Sequence, residues 1–230
     1  MEISLIIPCY NEAKNLPILF KKLENLLNNE KIQLIIVENG SEDNSLSIIK
    51  SFHEKNKNFK FISLKTNRGY GYGILQGLKI AEKNYIGWTH ADLQTDPLDI
   101  EKASKFLIKN DEKIFIKGLR NGRKISDNFF TICMSLIASL RLGIFLWDIN
   151  AQPSIFPASF MKEWNEPPYN FSLDLYAYFL AKKNNLKIKR FPVKFKKRKF
   201  GVSKWNINFS SKLEFIKSNI NYINYLSRKY

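Results

Sequence analysis

The sequence predicts an α/β protein with a mostly parallel sheet and helices on both sides of it, and three observations carry the prediction. Short apolar runs, each long enough only for a strand, recur along residues 1–118. Between them lie stretches whose apolar residues fall three and four apart, on one helical face. The runs themselves are continuously hydrophobic rather than alternating, as strands covered on both faces are.

The first run, ISLIIP at 3–8, follows an acidic residue 2 with no basic region ahead of it. It is too short for a signal peptide and reads as a strand. Leu16, Leu19, Phe20, Leu23, Leu26 and Leu27 then mark an amphipathic helix, and further strands are expected at 32–37, 59–64, 85–88 and 113–117. After residue 118 the pattern changes. The apolar stretch 129–147 is about as long as a bilayer span, but Arg141 interrupts it, and Leu142, Gly143 and Asp148 mark a break. A pair of buried or interfacial helices is therefore expected there rather than a span. A strand near 154–156, a helix over 172–184, a basic strand over 186–195 and a helix over 210–230 complete the chain. No linker rich in Gly, Pro or Ser and no repeat divides it, so one continuous domain with two functional halves, 1–118 and 119–230, is the economical reading.

The 230 residues are 44% hydrophobic, which excludes a disordered chain and supports a substantial core. A formal charge of +16 calls for an anionic partner: nucleic acid, nucleotide, phospholipid or phosphorylated lipid. Two cysteines, Cys9 and Cys133, are too few for a disulfide scaffold; they fit a reducing cytoplasm and should be free thiols. Between Asp174 and Glu214 there are twelve Lys and Arg and no acid. With the apolar stretch 129–147 nearby, these favour an anionic membrane surface. Nucleic-acid binding by basic residues interleaved with Phe191, Phe195, Phe200 and Trp205 is the weaker reading.

In a parallel sheet, ligands sit at the carboxyl ends of the strands. The polar segments Cys9–Glu12, Glu38–Asp43, Asn67–Gly71 and His90–Asp96 should therefore converge. In THADLQTDP, residues 89–97, extended backbone would turn Asp92, Gln94 and His90 the same way. One carboxylate, an amide and an imidazole suit a divalent cation, Mn²⁺ or Mg²⁺, that keeps open positions for phosphate oxygens. The competing reading is a loop that caps the next helix, which Asp96 before Pro97 is expected to do. NRGYGYG contains G-x-G but not the complete dinucleotide fingerprint, so its glycines are read as permitting close backbone approach.

Taken together, SLIIPCYNEAKNL, IIVENGSEDNS, NRGYGYGILQGL, HADLQTDP and RKFGVSKWN resemble the family 2 glycosyltransferases in order and spacing across residues 3–206. They are most similar to the branch of dolichyl-phosphate mannose synthase and of bacterial enzymes acting on polyprenyl phosphate or surface polysaccharide. The resemblance implies a GT-A (Rossmann-like) fold and inverting transfer of a sugar from a UDP- or GDP-linked donor to a lipid phosphate or glycan acceptor. The enzyme would lie peripherally on the cytoplasmic face of the membrane. Pro8, Tyr10, Asn11 and Glu12 would line the base and ribose pocket, Glu38 would meet the nucleoside, and Asn67 with Gly69 would shape the floor. Asp92 and Gln94 would hold the metal, while Arg198, Ser203 and Lys204 would close over the diphosphate. Arg120, with Arg123, would face the acceptor phosphate or the pyrophosphate. The chain departs from the family with Glu38-Asn39 for an Asp-Asp pair and with His90 for an Asp, which leaves His90 either a metal ligand or a neighbour of the ligands and makes a regulatory or scaffold protein that kept the fold but lost catalysis the alternative to an enzyme. Asp174 is either a base for a hydroxyl acceptor or a helix N-terminal charge.

Overall fold

The computed structural model describes residues 2–56, 58–107, 113–122, 125–201 and 209–230, with backbone alone at 125–128, 130, 209 and 212. Four strands, β1 (Ile3–Cys9), β2 (Ile32–Asn39), β3 (Phe59–Leu64) and β4 (Tyr85–Trp88), pair in parallel in the order β3-β2-β1-β4. β1 lies in the middle of this half and must be apolar on both faces: Ile3, Leu5 and Ile7 join one core and Ile6 the other. The sheet continues through β6 (Ser154–Pro157), antiparallel to both its neighbours, to β5 (Ile114–Asn121) and β7 (Lys187–Lys194). The predicted α/β class and the mostly parallel sheet are both observed.

Helix α1 (Leu16–Leu27) buries Leu16, Leu19, Phe20, Leu23, Leu26 and Leu27 against the first core, the face its spacing predicted, and carries a proline in its first turn. α2 (Ser45–Lys55) stacks Phe52 on Phe20, with the rings 3.9 Å apart. On the opposite face, α3 (Tyr70–Lys79) packs on β1 and β2, and α6 (Leu173–Lys183) is buried over most of its length. α4 (Asp99–Ser104), a 3-10 turn (Ala158–Glu163) and α7 (Phe209–Lys229) complete the chain.

The apolar stretch after residue 118 differs from expectation. A single helix, α5 (Ile125–Leu142), ends where Gly143 takes φ +65°, and 145–147 is irregular rather than a second helix. The break was legible, but the four apolar residues 144–147, followed by Asp148, are too few for another helical nucleus. Among the described residues no helix is long and apolar enough to cross a membrane.

Candidate active site at the strand ends

The turn after β1 is stitched to the turn after β2. Asn11, at φ +55°, donates its backbone N–H to Ser41 Oγ at 3.0 Å and accepts the Glu42 N–H at 2.8 Å. Glu12 and Ala13 donate theirs to Ser45 Oγ (2.9 Å) and Asp43 Oδ2 (3.1 Å), while the Tyr10 hydroxyl donates to Glu42 at 3.2 Å. The β2 turn reaches the third loop through Asn39, whose amide donates to the Gly69 carbonyl at 3.0 Å, and Asn67 Oδ1 accepts the Gly69 N–H at 2.9 Å.

Gly69 stands at φ +110°, and a Cβ there would lie 2.3 Å from the Tyr169 carbonyl oxygen. Any side chain meets both strain and clash, so Gly69→Ala should cost about 1–3 kcal/mol. Chemical unfolding checks this, and an unchanged midpoint would contradict it.

The fourth loop is joined to the first by Arg198, from the segment after β7. Its Nη2 donates to Asp92 Oδ2 at 2.9 Å and to Glu12 Oε1 at 3.1 Å. Glu12 also accepts the Asn15 side-chain amide on Oε2 at 2.5 Å. Burial raises the Glu12 pKa, and the Asn15 hydrogen bond and the Arg198 charge oppose the rise. The Lys196 N–H donates to the Gln94 carbonyl at 2.7 Å, and the Gln94 amide donates to the Lys196 carbonyl at 3.3 Å. All four strand-end loops thus meet along one edge of the sheet, with a strap across them.

Several expected roles change. Leu93 takes φ +60°, and Asp92 Oδ1 accepts the Gln94 N–H in a tight turn, so the extended alternation expected to align His90, Asp92 and Gln94 does not occur. The His90 ring packs on Tyr70, 5.4 Å between centroids, and among the described residues no three His, Cys, Asp or Glu side chains converge as a metal-ligating group. Glu38 is 1% exposed, with one carboxylate oxygen on the Ser41 N–H and the other on the Ser63 hydroxyl, so it builds its own turn rather than facing a nucleoside. Arg120 does not present an unpaired charge to an acceptor. It forks onto Asp148, donating its Nε to Oδ1 at 2.7 Å and its backbone N–H to Oδ2 at 2.9 Å. Burial raises the Asp148 pKa, but Arg120 outweighs it and holds the carboxyl below its ordinary value. Asp96 is not the N-cap expected of it, since α4 begins at Asp99 behind Leu98; its carboxylate accepts the Leu98 N–H at 3.2 Å just ahead of the helix and pairs with Lys22 at 2.6 Å. Arg123, Ser203 and Lys204 lie outside the described residues.

Asp174 opens α6, as expected, but is only 2% exposed. Its Oδ1 accepts Trp88 Nε1 (3.1 Å) and Gln152 Nε2 (2.6 Å) and lies 3.7 Å from Lys117 Nζ. Neither a solvent-facing helix charge nor a base open to an acceptor describes it; it is the counter-ion of a buried lysine. Lys117 is wholly buried, its ammonium donating to Ser154 Oγ at 2.9 Å, and burial pushes its pKa from 10.5 down to about 8. Sequence reading passed over Lys117, although a lysine following IFI inside a buried strand was the available signal.

The lowered pKa fixes a pH dependence. Between about pH 8 and 10.5 the folded protein has released a proton that the unfolded chain still binds, so stability rises with pH across that window, and the rise is absent below it. Unfolding free energies of the wild type and Lys117→Met should diverge as pH climbs from 8. A pH-independent difference would contradict this.

With this geometry established, comparison with known proteins places the chain. Residues 4–142 match the model of "Glycosyl transferase family 2". An uncharacterized protein of Methanocaldococcus jannaschii is 33% identical over 170 residues, 69% of this chain and 72% of that one. A dolichyl-phosphate β-glucosyltransferase of Dictyostelium discoideum is 24% identical over 215 residues, 81% of this chain, which in turn spans 64% of that enzyme. Among solved structures, glucosyl-3-phosphoglycerate synthase of Mycobacterium tuberculosis, in complex with Mn²⁺, UDP and glucosyl-3-phosphoglycerate, superposes with a TM-score of 0.71 at 14% identity. That match covers 99% of this chain and 79% of the other and shows a shared fold. The family match takes in more than half of the chain, and the protein belongs to glycosyltransferase family 2.

Proposed function

We propose that this glycosyltransferase moves a sugar from a UDP- or GDP-linked donor to a polyprenyl phosphate, or to a glycan carried on one, at the cytoplasmic membrane face. The observation that carries the reading is the Arg198 guanidinium bridging Asp92 and Glu12 where the strand-end loops meet. Two acids already share one cation there, and each is no more than a tenth exposed. A carboxylate that already faces a cation, as Asp92 does, suits a divalent ion that completes its shell with phosphate oxygens. Asp92 would hold Mn²⁺ or Mg²⁺, with Gln94 and His90 beside it, and the ion would supply positive charge to the leaving diphosphate. Arg198 offers the same service from the chain itself, and Ser203 and Lys204 extend it. Pro8, Tyr10, Asn11, Asn67 and Gly69 form the nucleoside side. The acceptor oxygen attacks the anomeric carbon opposite the nucleotide and inverts it.

The burial of Asp174 favours a phosphate acceptor. A hydroxyl needs a base to take its proton, whereas a lipid phosphate is ionised at neutral pH and needs none. The acceptor side has both polarities. Arg120, Asn150 and Asn219 line a small cleft of about 40 Å³ with Met134, Leu175 and Ile223. Nearby in sequence, α5 and the residues after it expose Phe129 (69%), Leu136 (51%), Leu140 (82%) and Phe145 (67%), a surface suited to lipid. The test offers labelled UDP-glucose or GDP-mannose with polyprenyl phosphate in vesicles and, separately, a hydroxyl glycan. Label appearing in the lipid phosphate is expected. Transfer confined to the hydroxyl acceptor would refute the reading.

A further inference from the structure

Resting on that reading, we infer that Glu12 is a positioning residue for Arg198: the guanidinium, which spans Glu12 and Asp92, yields Asp92 to a divalent ion and stays on Glu12 to meet the diphosphate. The two carboxylates come from the turns after β1 and β4, which are adjacent strands, and one nitrogen, Nη2, serves both. Glu12 is held independently of Arg198. Its second oxygen accepts the Asn15 amide at 2.5 Å, and its backbone N–H donates to Ser45 Oγ. Among the described residues, Asp92 is otherwise held on its second oxygen by the Gln94 N–H at 3.0 Å. Arg198 therefore has one anchor built into the fold and one facing the cation position.

The strap carrying Arg198 is pinned on both sides of it, by the Lys196–Gln94 pair and by the Asn15 amide at 3.5 Å from the Phe200 carbonyl. Retreat from Asp92 thus needs only a side-chain swing, with the backbone in place. Among the described residues, Arg198 Nε is buried without a hydrogen-bond partner, a donor left over in the bridging position. Phosphate oxygens are the acceptors that a guanidinium fork fits.

Two titrations by calorimetry test this. Mn²⁺ alone should bind Arg198→Gln about tenfold more tightly than wild type, because the internal competitor is gone. UDP in saturating Mn²⁺ should bind Glu12→Gln about tenfold more weakly than wild type, yet the same substitution should change UDP affinity less than about twofold in an Arg198→Gln background. A purely structural role for Glu12 would weaken UDP equally in both backgrounds and would overturn the inference, as would an unchanged or weaker Mn²⁺ affinity in Arg198→Gln. The Mn²⁺ arm leaves Glu12 intact, so it stands even where a Glu12 variant fails to fold. A wild type that binds no UDP with Mn²⁺ would instead strike the proposed function itself.

Discussion

Asp92→Asn should lower turnover of a nucleotide-sugar donor by at least about a hundredfold, the scale on which a lost electrostatic contact to the leaving group is felt. The substitution is nearly isosteric, and Asn can still accept the Gln94 N–H that shapes the turn, so the fold has little reason to change. The carboxylate charge is what disappears, leaving Arg198 with Glu12 alone and removing the chief anchor for a cation. Nucleotide binding should also lose its dependence on Mn²⁺, while the thermal midpoint should move little. Donor turnover in the presence of Mn²⁺ is the measurement, and a rate near that of the wild type would remove Asp92 from the mechanism.

The second large effect concerns stability. Asp174→Asn should cost about 3–5 kcal/mol, the usual consequence of removing one partner from a buried ion pair. Lys117 would keep Ser154 as its hydrogen-bond acceptor but lose its counter-charge, in a position with no exposure at all. Trp88 and Gln152, which both donate to Asp174, would have to share a neutral amide oxygen. Replacing both members, as Lys117→Met with Asp174→Leu, should recover part of the loss, because the isolated buried charge is then gone. Equilibrium unfolding in denaturant measures both variants. A cost below about 1 kcal/mol for Asp174→Asn would mean that the pair is not electrostatically coupled.

Much of the fold could be read from side-chain periodicity. The face of α1 and the continuous apolar run of β1 are burial patterns, and burial is what hydrophobic spacing encodes. The break at Gly143 was visible for the same reason, since only a residue at ease with positive φ could end that helix there. Less was legible where polar groups meet across the chain. The placing of the four loops followed from sheet logic, but which side chains are already spent did not. Arg120 and Asp148, 28 positions apart, form a pair that no local spacing announces. The family resemblance set Glu38 against a nucleoside, whereas its carboxylate closes its own turn. Leu93 at φ +60° defeated the alternation argument for His90 and Gln94, because a left-handed non-glycine residue leaves little trace in composition. The bridge from Arg198 to Glu12 and Asp92 spans separations of 186 and 106 residues and needed coordinates to be seen.

The most direct test of the account is an anomalous diffraction map at the manganese edge from crystals grown with Mn²⁺ and UDP. One peak should lie within ligating distance of the Asp92 carboxylate, with the diphosphate against it and Arg198 turned to the phosphate oxygens. A peak away from Asp92, or UDP bound elsewhere on the protein, would contradict it.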